Sequence, residues 1–193
     1  DKATLAVPQL LEALRRAVGP SVPIIGLAPG ERVAVRQLLS FSPGSWLPQD
    51  LLPQTRLRLE DTMVSRFAVD WCRSLVQTPR SGTRRCYLTR RGGGQRRQLL
   101  NEHELEDVVR PLGYDVVAPE GLSFKAQVAT FGGVARLCAP VGASLANLMF
   151  CPEGTQVLAL MNHRWETSLF SQITDRLGQE LSFLVGTPSE VPD

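Results

Sequence analysis

The feature that most constrains this chain is the regular alternation, over its second half, of short β-rich runs with segments of helical periodicity. Five runs read as strands: Arg85 to Thr89, Tyr114 to Val117, Val134 to Cys138, Gln156 to Met161 and Leu181 to Val185. The segments between them carry apolar residues at three- and four-residue spacing, the mark of a helix with one buried face. The first starts at Asn101, with Leu105, Val108, Val109 and Leu112 along it; Asn101 and Glu104 form a capping-box-like pair, and Gly113 ends it. Ser123 caps a second, whose apolar face is Phe124, Val128 and Phe131. Gly142 to Met149 is a short helix, and Trp165 to Leu177 carries Leu169, Ile173 and Leu177 on one stripe. Strands joined through such helices pair in parallel with right-handed crossovers. The expected fold over residues 84–186 is therefore α/β, a Rossmann-like parallel sheet of about five strands with helices on both faces.

A smaller α/β segment is expected before it. Leu5 to Val18 has Leu10, Leu11, Leu14 and Val18 spaced for one helical face, and Val22 to Leu27 and Val33 to Leu39 are strand candidates. Ser40 to Pro53, rich in Pro, Ser and Gly, reads as a loop or linker. A helix is predicted over 60–77, with Met63, Val64, Phe67, Ala68, Trp71 and Leu75 along its buried side, before Thr78 to Gly82 break the chain. Residues 1–58 are thus assigned to a partial N-terminal lobe or linker region, and residues 59–193 to the Rossmann-like domain.

Composition removes several function classes. No apolar run approaches the roughly 18 residues of a membrane-spanning helix. The chain begins at Asp1 instead of Met, so the lack of a visible leader excludes nothing. Four scattered cysteines and two histidines lack zinc-site spacing, and read as reduced, buried thiols of a cytoplasmic protein. The net charge of +2 conceals an uneven distribution. Trp71 to Asn101 holds eight arginines (Arg73, Arg80, Arg84, Arg85, Arg90, Arg91, Arg96, Arg97) and no acid, so the remainder carries 2 − 8 = −6. Tyr87 is the one aromatic between Arg73 and Arg97, and without interleaved aromatics a nucleic-acid surface is disfavoured.

In an open α/β sheet, ligands bind beyond the carboxyl ends of the strands. That rule selects Arg90 to Arg97, Pro119-Glu120, Pro140 to Ser144, Asn162 to Trp165 and Gly186-Thr187. The selected edge is cationic and glycine-rich (Gly92, Gly93, Gly94, Gly142), and it includes Ser144 and His163. Helix N-termini and arginines together suit a phosphorylated ligand. Neither a G-x-G-x-x-G nor a Walker A sequence is present. Each part also has a plainer reading: the glycine run as a surface loop, Gly142 to Ser144 as a packed turn, His163 as an ordinary polar residue. Arg84 and Arg85 fall on the opposite edge and are expected to be solvated, and Arg73 and Arg80 to cap helix carbonyls.

Several stretches, taken in order, resemble glycosyltransferase family 61. They are Tyr87-Leu88-Thr89-Arg90-Arg91, Arg97-Gln98-Leu99-Leu100-Asn101-Glu102, Gly113-Tyr114, Pro119-Glu120-Gly121-Leu122-Ser123 with Gln127, and Pro140-Val141-Gly142-Ala143-Ser144-Leu145-Ala146-Asn147 with Phe150 and Pro152. The likeness runs from residue 85 to 161, and more loosely to Gly186. It implies a GT-B glycosyltransferase, inverting and metal-independent, of the kind that builds capsular or other cell-surface polysaccharide. The C-terminal lobe would hold a nucleotide-sugar donor, and a saccharide would accept the sugar. No metal or other cofactor is implied, and no nucleic-acid partner. The implied setting is the cytoplasm, with peripheral membrane association through other biosynthetic proteins.

By position, the resemblance assigns Arg90 and Arg97 to the donor diphosphate, with Asn101 completing an Arg-x-x-x-Asn element. Gly142, Ala143 and Ser144 match the turn opening the phosphate-facing helix, Glu120 a residue near the ribose or base, and His163 lies on the same edge. Two departures stand out. Val141 replaces the usual histidine, removing a candidate acid/base or phosphate ligand, and Ser144 replaces a glycine. With no general base identifiable and a short N-terminal part, a non-catalytic nucleotide-sugar or glycan-binding module remains the alternative. Arginine usage with almost no lysine is a compositional hint of a bacterial source.

Overall fold

Three consecutive buried residues, Cys86, Tyr87 and Leu88, mark the strand around which the domain is built. A strand buried on both faces reads as a continuous apolar run because its side chains alternate between two covered surfaces. The computed structural model describes residues 5–40, 43–46, 61–79, 81–90, 99–162 and 168–187. In chain order its elements are α1 (Pro8–Val18), β1 (Ser45–Trp46), β2 (Met63–Val64), α2 (Arg66–Ser74), β3 (Arg84–Leu88), α3 (Glu102–Val109) and β4 (Tyr114–Val117). A 3-10 turn (Pro119–Gly121), α4 (Phe124–Gly132), β5 (Val134–Pro140), a 3-10 helix (Ala143–Phe150), β6 (Gln156–Asn162), α5 (Leu169–Arg176) and β7 (Glu180–Gly186) follow.

The five strands β3 to β7 form one parallel sheet in the order β4-β3-β5-β6-β7. The α/β, Rossmann-like expectation is met. On one face, Cys86, Leu88, Leu137, Ala139, Val157 and Ala159 pack against Val69 of α2, Phe131 of α4, Leu145 and Leu148 of the 3-10 helix, and Phe170 and Ile173 of α5. On the other, Tyr87, Cys138 and Leu160 meet Val109 and Leu105 of α3. That second face is covered unevenly: toward the β7 edge, Leu158 and Leu184 are exposed.

Local signals set several boundaries. Ser123 Oγ accepts from Ala126 N at 3.2 Å, the expected cap of α4. Gly113, at φ +79°, supplies the left-handed turn after α3. Elsewhere tertiary contacts override the pattern. Residues 22–27 and 33–39 form no strands, and Val22, Ile25, Val33, Val35, Leu38 and Leu39 are exposed. Pro20, Pro23, Pro29 and two glycines interrupt that region, and a β run without a partner ladder leaves its backbone groups to water.

The helix expected over 60–77 is shorter, because Met63 and Val64 pair with Trp46 and Ser45 as strand. Its buried face also differs. Val69 is 1% exposed, whereas Phe67 is 77% exposed and Trp71 44%. Polar anchors fix that rotation: Arg73 Nη1 donates to the carbonyls of Met149 (3.2 Å) and Cys151 (2.8 Å), and Asp70 pairs with Arg176 of α5. Arg73 therefore caps carbonyls as expected, but those of another helix. Arg84 and Arg85, though exposed, have partners: Arg84 meets Asp115 at 2.9 Å and Arg85 donates to the Leu112 carbonyl at 2.7 Å.

α1 also departs from expectation, since Leu10, Leu14 and Val18 remain exposed. Its attachment is polar. Glu12 accepts from the Phe124 and Lys125 amides at 3.0 and 3.2 Å, and Gln9 Nε2 donates to the carbonyls of Glu120 and Leu122. The Arg16 guanidinium lies 5.8 Å from the Phe124 ring centre. A carboxylate from the first helix thus neutralises the start of α4. Among the described residues no helix is long and apolar enough to cross a membrane.

The rotation of α2 can be checked by unfolding in urea: Val69→Ala is expected to cost about 1.5–3 kcal/mol, and Phe67→Ala less than about 0.5 kcal/mol. A pH dependence also follows. Burial pushes the Cys138 thiol up to about 11 and the Cys151 thiol up to about 12, from 9.0. Above pH 9 the unfolded chain releases protons that the folded chain retains, so stability is full below that pH and falls as pH rises toward the folded values. Urea midpoints measured from pH 8 to 10.5 should decline, and the decline should be shallower in Cys151→Ala.

Candidate functional site

The path of the chain selects one place on the sheet. It leaves β3 for β4 by way of α3 on one face, then returns past β3 to β5 by way of α4 on the other. The carboxyl ends of β3 and β5 therefore flank the topological switch point, where connections diverge and leave a crevice. In register, Tyr87 pairs with Cys138. Three residues further along each strand lie Arg90 and Val141.

The side chain of Arg90 crosses this point. It is half-buried, and its Nη2 donates to the Val141 carbonyl at 3.2 Å. Its guanidinium then rests against Gly142. A Cβ added to Gly142 would lie 1.5 Å from Arg90 Nη2 and 2.7 Å from Cζ. Gly142 has an extended backbone, φ 167° and ψ −174°, which any residue can adopt. Glycine is needed there because the guanidinium occupies the space of a side chain.

Beyond Gly142 the 3-10 helix begins. Leu145 N donates to the Gly142 carbonyl at 2.9 Å, and Asn147 Nδ2 donates to the Ser144 carbonyl at 3.1 Å, closing the first turn. The first amides of any helix have no acceptor within it and point outward, here from exposed Ala143 and half-buried Ser144. A guanidinium beside a helix start combines a charged donor with oriented amides, the arrangement suited to phosphate oxygens. Val141 gives its carbonyl to Arg90 while its side chain, 8% exposed, joins the apolar core. Val141 N continues the β5–β6 ladder to the Leu160 carbonyl at 2.8 Å, after Pro140, which has no amide hydrogen to offer.

Of the other predicted residues, Asn101 stands at the start of α3 and is exposed. Its side chain does not cap the helix; Nδ2 donates instead to Glu104 Oε2 at 3.3 Å, so the capping-box geometry is absent. Glu120 is exposed on the 3-10 turn after β4, on the far side of β3 from the Arg90–Gly142 contact. That turn is secured by Gln127 Nε2, which donates to the carbonyls of Pro119 and Leu122 at 2.9 and 3.3 Å. Arg97 and His163 lie outside the described residues, as do Arg80, Arg91, Gly92 to Gly94 and Arg96.

One supporting residue had no predicted role. Glu102, 7% exposed, accepts from Arg90 N at 2.9 Å and from the Tyr87 hydroxyl at 3.0 Å. The Tyr87 phenol is raised well above its usual range by burial and by this bond to Glu102, so it remains a donor. An open cavity of about 750 Å3 lies elsewhere, lined by Leu11, Glu12, Arg15, Arg16, Pro20 and Ile24 of the N-terminal segment. Of these, Glu12 also meets the start of α4.

The family model described as Glycosyltransferase 61 matches residues 3–158, which include α1 through β6 as far as Leu158. No curated protein matches the chain.

Gly142→Ala tests the contact. Its methyl would collide with a flexible side-chain end, so the melting temperature should change little while Arg90 is displaced. If Arg90 holds a diphosphate, losing one charge-assisted hydrogen bond, worth about 1.5–3 kcal/mol, weakens inorganic pyrophosphate binding roughly tenfold or more in a calorimetric titration.

Proposed function

The chain belongs to glycosyltransferase family 61, and from that premise we propose that it moves a sugar from a nucleotide-sugar donor to a saccharide acceptor. Membership of a glycosyltransferase family implies both substrates. The reading rests above all on the Arg90 guanidinium lying against Gly142 at the switch point. In this proposal the parallel-sheet domain, residues 59–193, is the donor-binding lobe of a GT-B enzyme, and residues 1–58 are part of the other lobe.

The donor diphosphate lies across Arg90 and the amides of Ala143 and Ser144. In the same proposal Arg97 adds a second guanidinium, Asn101 and His163 add polar contacts to the donor, and Glu120 serves the ribose or base. The acceptor hydroxyl attacks the anomeric carbon from the face opposite the diphosphate, inverting it, and gives its proton to a base outside the residues named here. The carbon–oxygen bond to the diphosphate breaks, and the departing negative charge is met by fixed cationic and amide donors instead of a metal ion. The proposed setting is cytoplasmic synthesis of capsular or cell-surface polysaccharide, with the chain held peripherally at a membrane by other biosynthetic proteins.

Val141 favours a second reading. Its buried apolar side chain offers no proton-transfer group beside the turn, as suits a module that binds a nucleotide-sugar or glycan without turnover. Calorimetry with UDP-, GDP- and CMP-sugars, followed by an assay with glycan acceptors, separates the two. Arg90→Ala is expected to weaken donor binding by roughly 10- to 100-fold, the loss of one or two charged hydrogen bonds. Absence of binding to every nucleotide-sugar, or unchanged affinity in Arg90→Ala, overturns the first reading, and absence of binding to the glycans as well overturns the second. Binding without transfer leaves the second.

A further inference from the structure

We infer that Glu102 is a positioning residue, one that aims Arg90 at the Gly142 turn while touching no ligand itself. The inference rests on the reading of Arg90 as a diphosphate ligand. Glu102 opens α3 and is 7% exposed. A carboxylate so placed is unfavourable unless its oxygens receive hydrogen bonds. Its Oε1 receives two, from the Tyr87 hydroxyl at 3.0 Å and from the Arg90 amide at 2.9 Å. The start of a helix favours the negative charge as well.

The two donors belong to different parts of the molecule. Tyr87 is wholly buried within β3, whereas Arg90 lies two residues beyond that strand. One oxygen therefore ties the departing chain back to the rigid sheet. The neighbouring Thr89 amide is held by the Val117 carbonyl at 2.9 Å. Together these bonds set the direction in which Arg90 leaves the sheet, and so where its guanidinium arrives. Little tolerance exists at the other end, where that guanidinium fills the space a Cβ of Gly142 would need. Small displacements of a binding group from its working geometry cause large losses. Glu102 is not catalytic in this scheme, because both described donors to its Oε1 belong to the protein.

The shared oxygen allows the structural and positioning roles to be separated in the full chain, with inorganic pyrophosphate as probe and melting temperature as control. Glu102→Ala should weaken pyrophosphate binding about tenfold, while Glu102→Gln, which keeps an acceptor oxygen for Arg90 N, should stay within about threefold of the unmodified protein. Tyr87→Phe removes only the other donor; it should lower the melting temperature yet leave affinity within about threefold. In an Arg90→Ala background, Glu102→Ala should have no further effect on affinity.

An equal loss from Glu102→Ala with and without Arg90 overturns the inference, as does a loss from Tyr87→Phe matching that from Glu102→Ala. If Glu102→Ala does not fold, Glu102→Asp replaces it; the shorter side chain withdraws the acceptor, and affinity equal to that of the unmodified protein then counts against the role. Arg90→Ala with undiminished affinity overturns the diphosphate reading and this inference with it. A large effect of Arg90→Ala beside a silent Glu102→Ala removes the inference alone.

Discussion

Pairing of β3 with parallel neighbours on both sides is the constraint from which the site follows. Because β3 is hydrogen-bonded to β4 and to β5, both of its faces must be covered by helices arriving from opposite directions. Its side chains supply both cores, Cys86 and Leu88 on one face and Tyr87 on the other. A strand held so completely has one way to present a side chain to solvent at the ligand edge, which is past its carboxyl end. Arg90 is the first cation there, and the register with β5 brings it opposite Val141 and beside Gly142. A residue pair 52 positions apart in the chain, 142 − 90, thereby becomes a single feature.

Residues that precede the sheet in the chain sharpen that feature by occupying alternatives. Helices α4 and α5 also start at the carboxyl edge; the first amides of α4 are engaged, and at α5 the N-cap side chain of Ser168 is. Glu12 accepts the first α4 amides. At α5, Thr62 Oγ1 and Ser168 Oγ lie 2.8 Å apart, Gln172 Nε2 donates to Ser168 Oγ and the Thr62 carbonyl, and Val64 N donates to Gln172 Oε1. The turn at Ala143 and Ser144, beside a guanidinium, is the helix start on this side of the sheet best suited to an incoming anion. An uneven charge distribution along the chain thus resolves into a local one, since Arg73, Arg84 and Arg85 are committed to protein carbonyls or to Asp115.

Legibility in the sequence followed how local each determinant was. The strands were readable because buried parallel strands are apolar runs between periodic segments, and α4 because Ser123 sits directly ahead of its apolar face. The face of α2 was not, because partners distant in sequence, Met149, Cys151 and Arg176, choose the rotation that exposes Phe67. The strands expected at 22–27 and 33–39 failed for want of a neighbour, which periodicity alone does not report. Arg90 and Gly142 were each legible as edge residues, but not their contact. Glu102, Gln127 and Asn147 stood within the stretches that carried the family resemblance, and each holds a segment that bears a predicted site residue. Polar residues in such stretches that do not fall on the ligand edge were the available signal.

The bond from Glu12 to Phe124 spans 112 residues, and those from Gln9 span 111 and 113. Contacts so distant in sequence repay the entropy of closing the chain only late, because everything between must first be in place. As the chain is synthesised, α1 is complete long before its binding surface exists. It docks once β4 and α4 have formed, and because the attachment is polar, Leu10, Leu14 and Val18 stay uncovered afterwards as well. The charge that quiets the start of α4 therefore reaches it from 112 residues earlier in the chain, and arrives only once that helix exists.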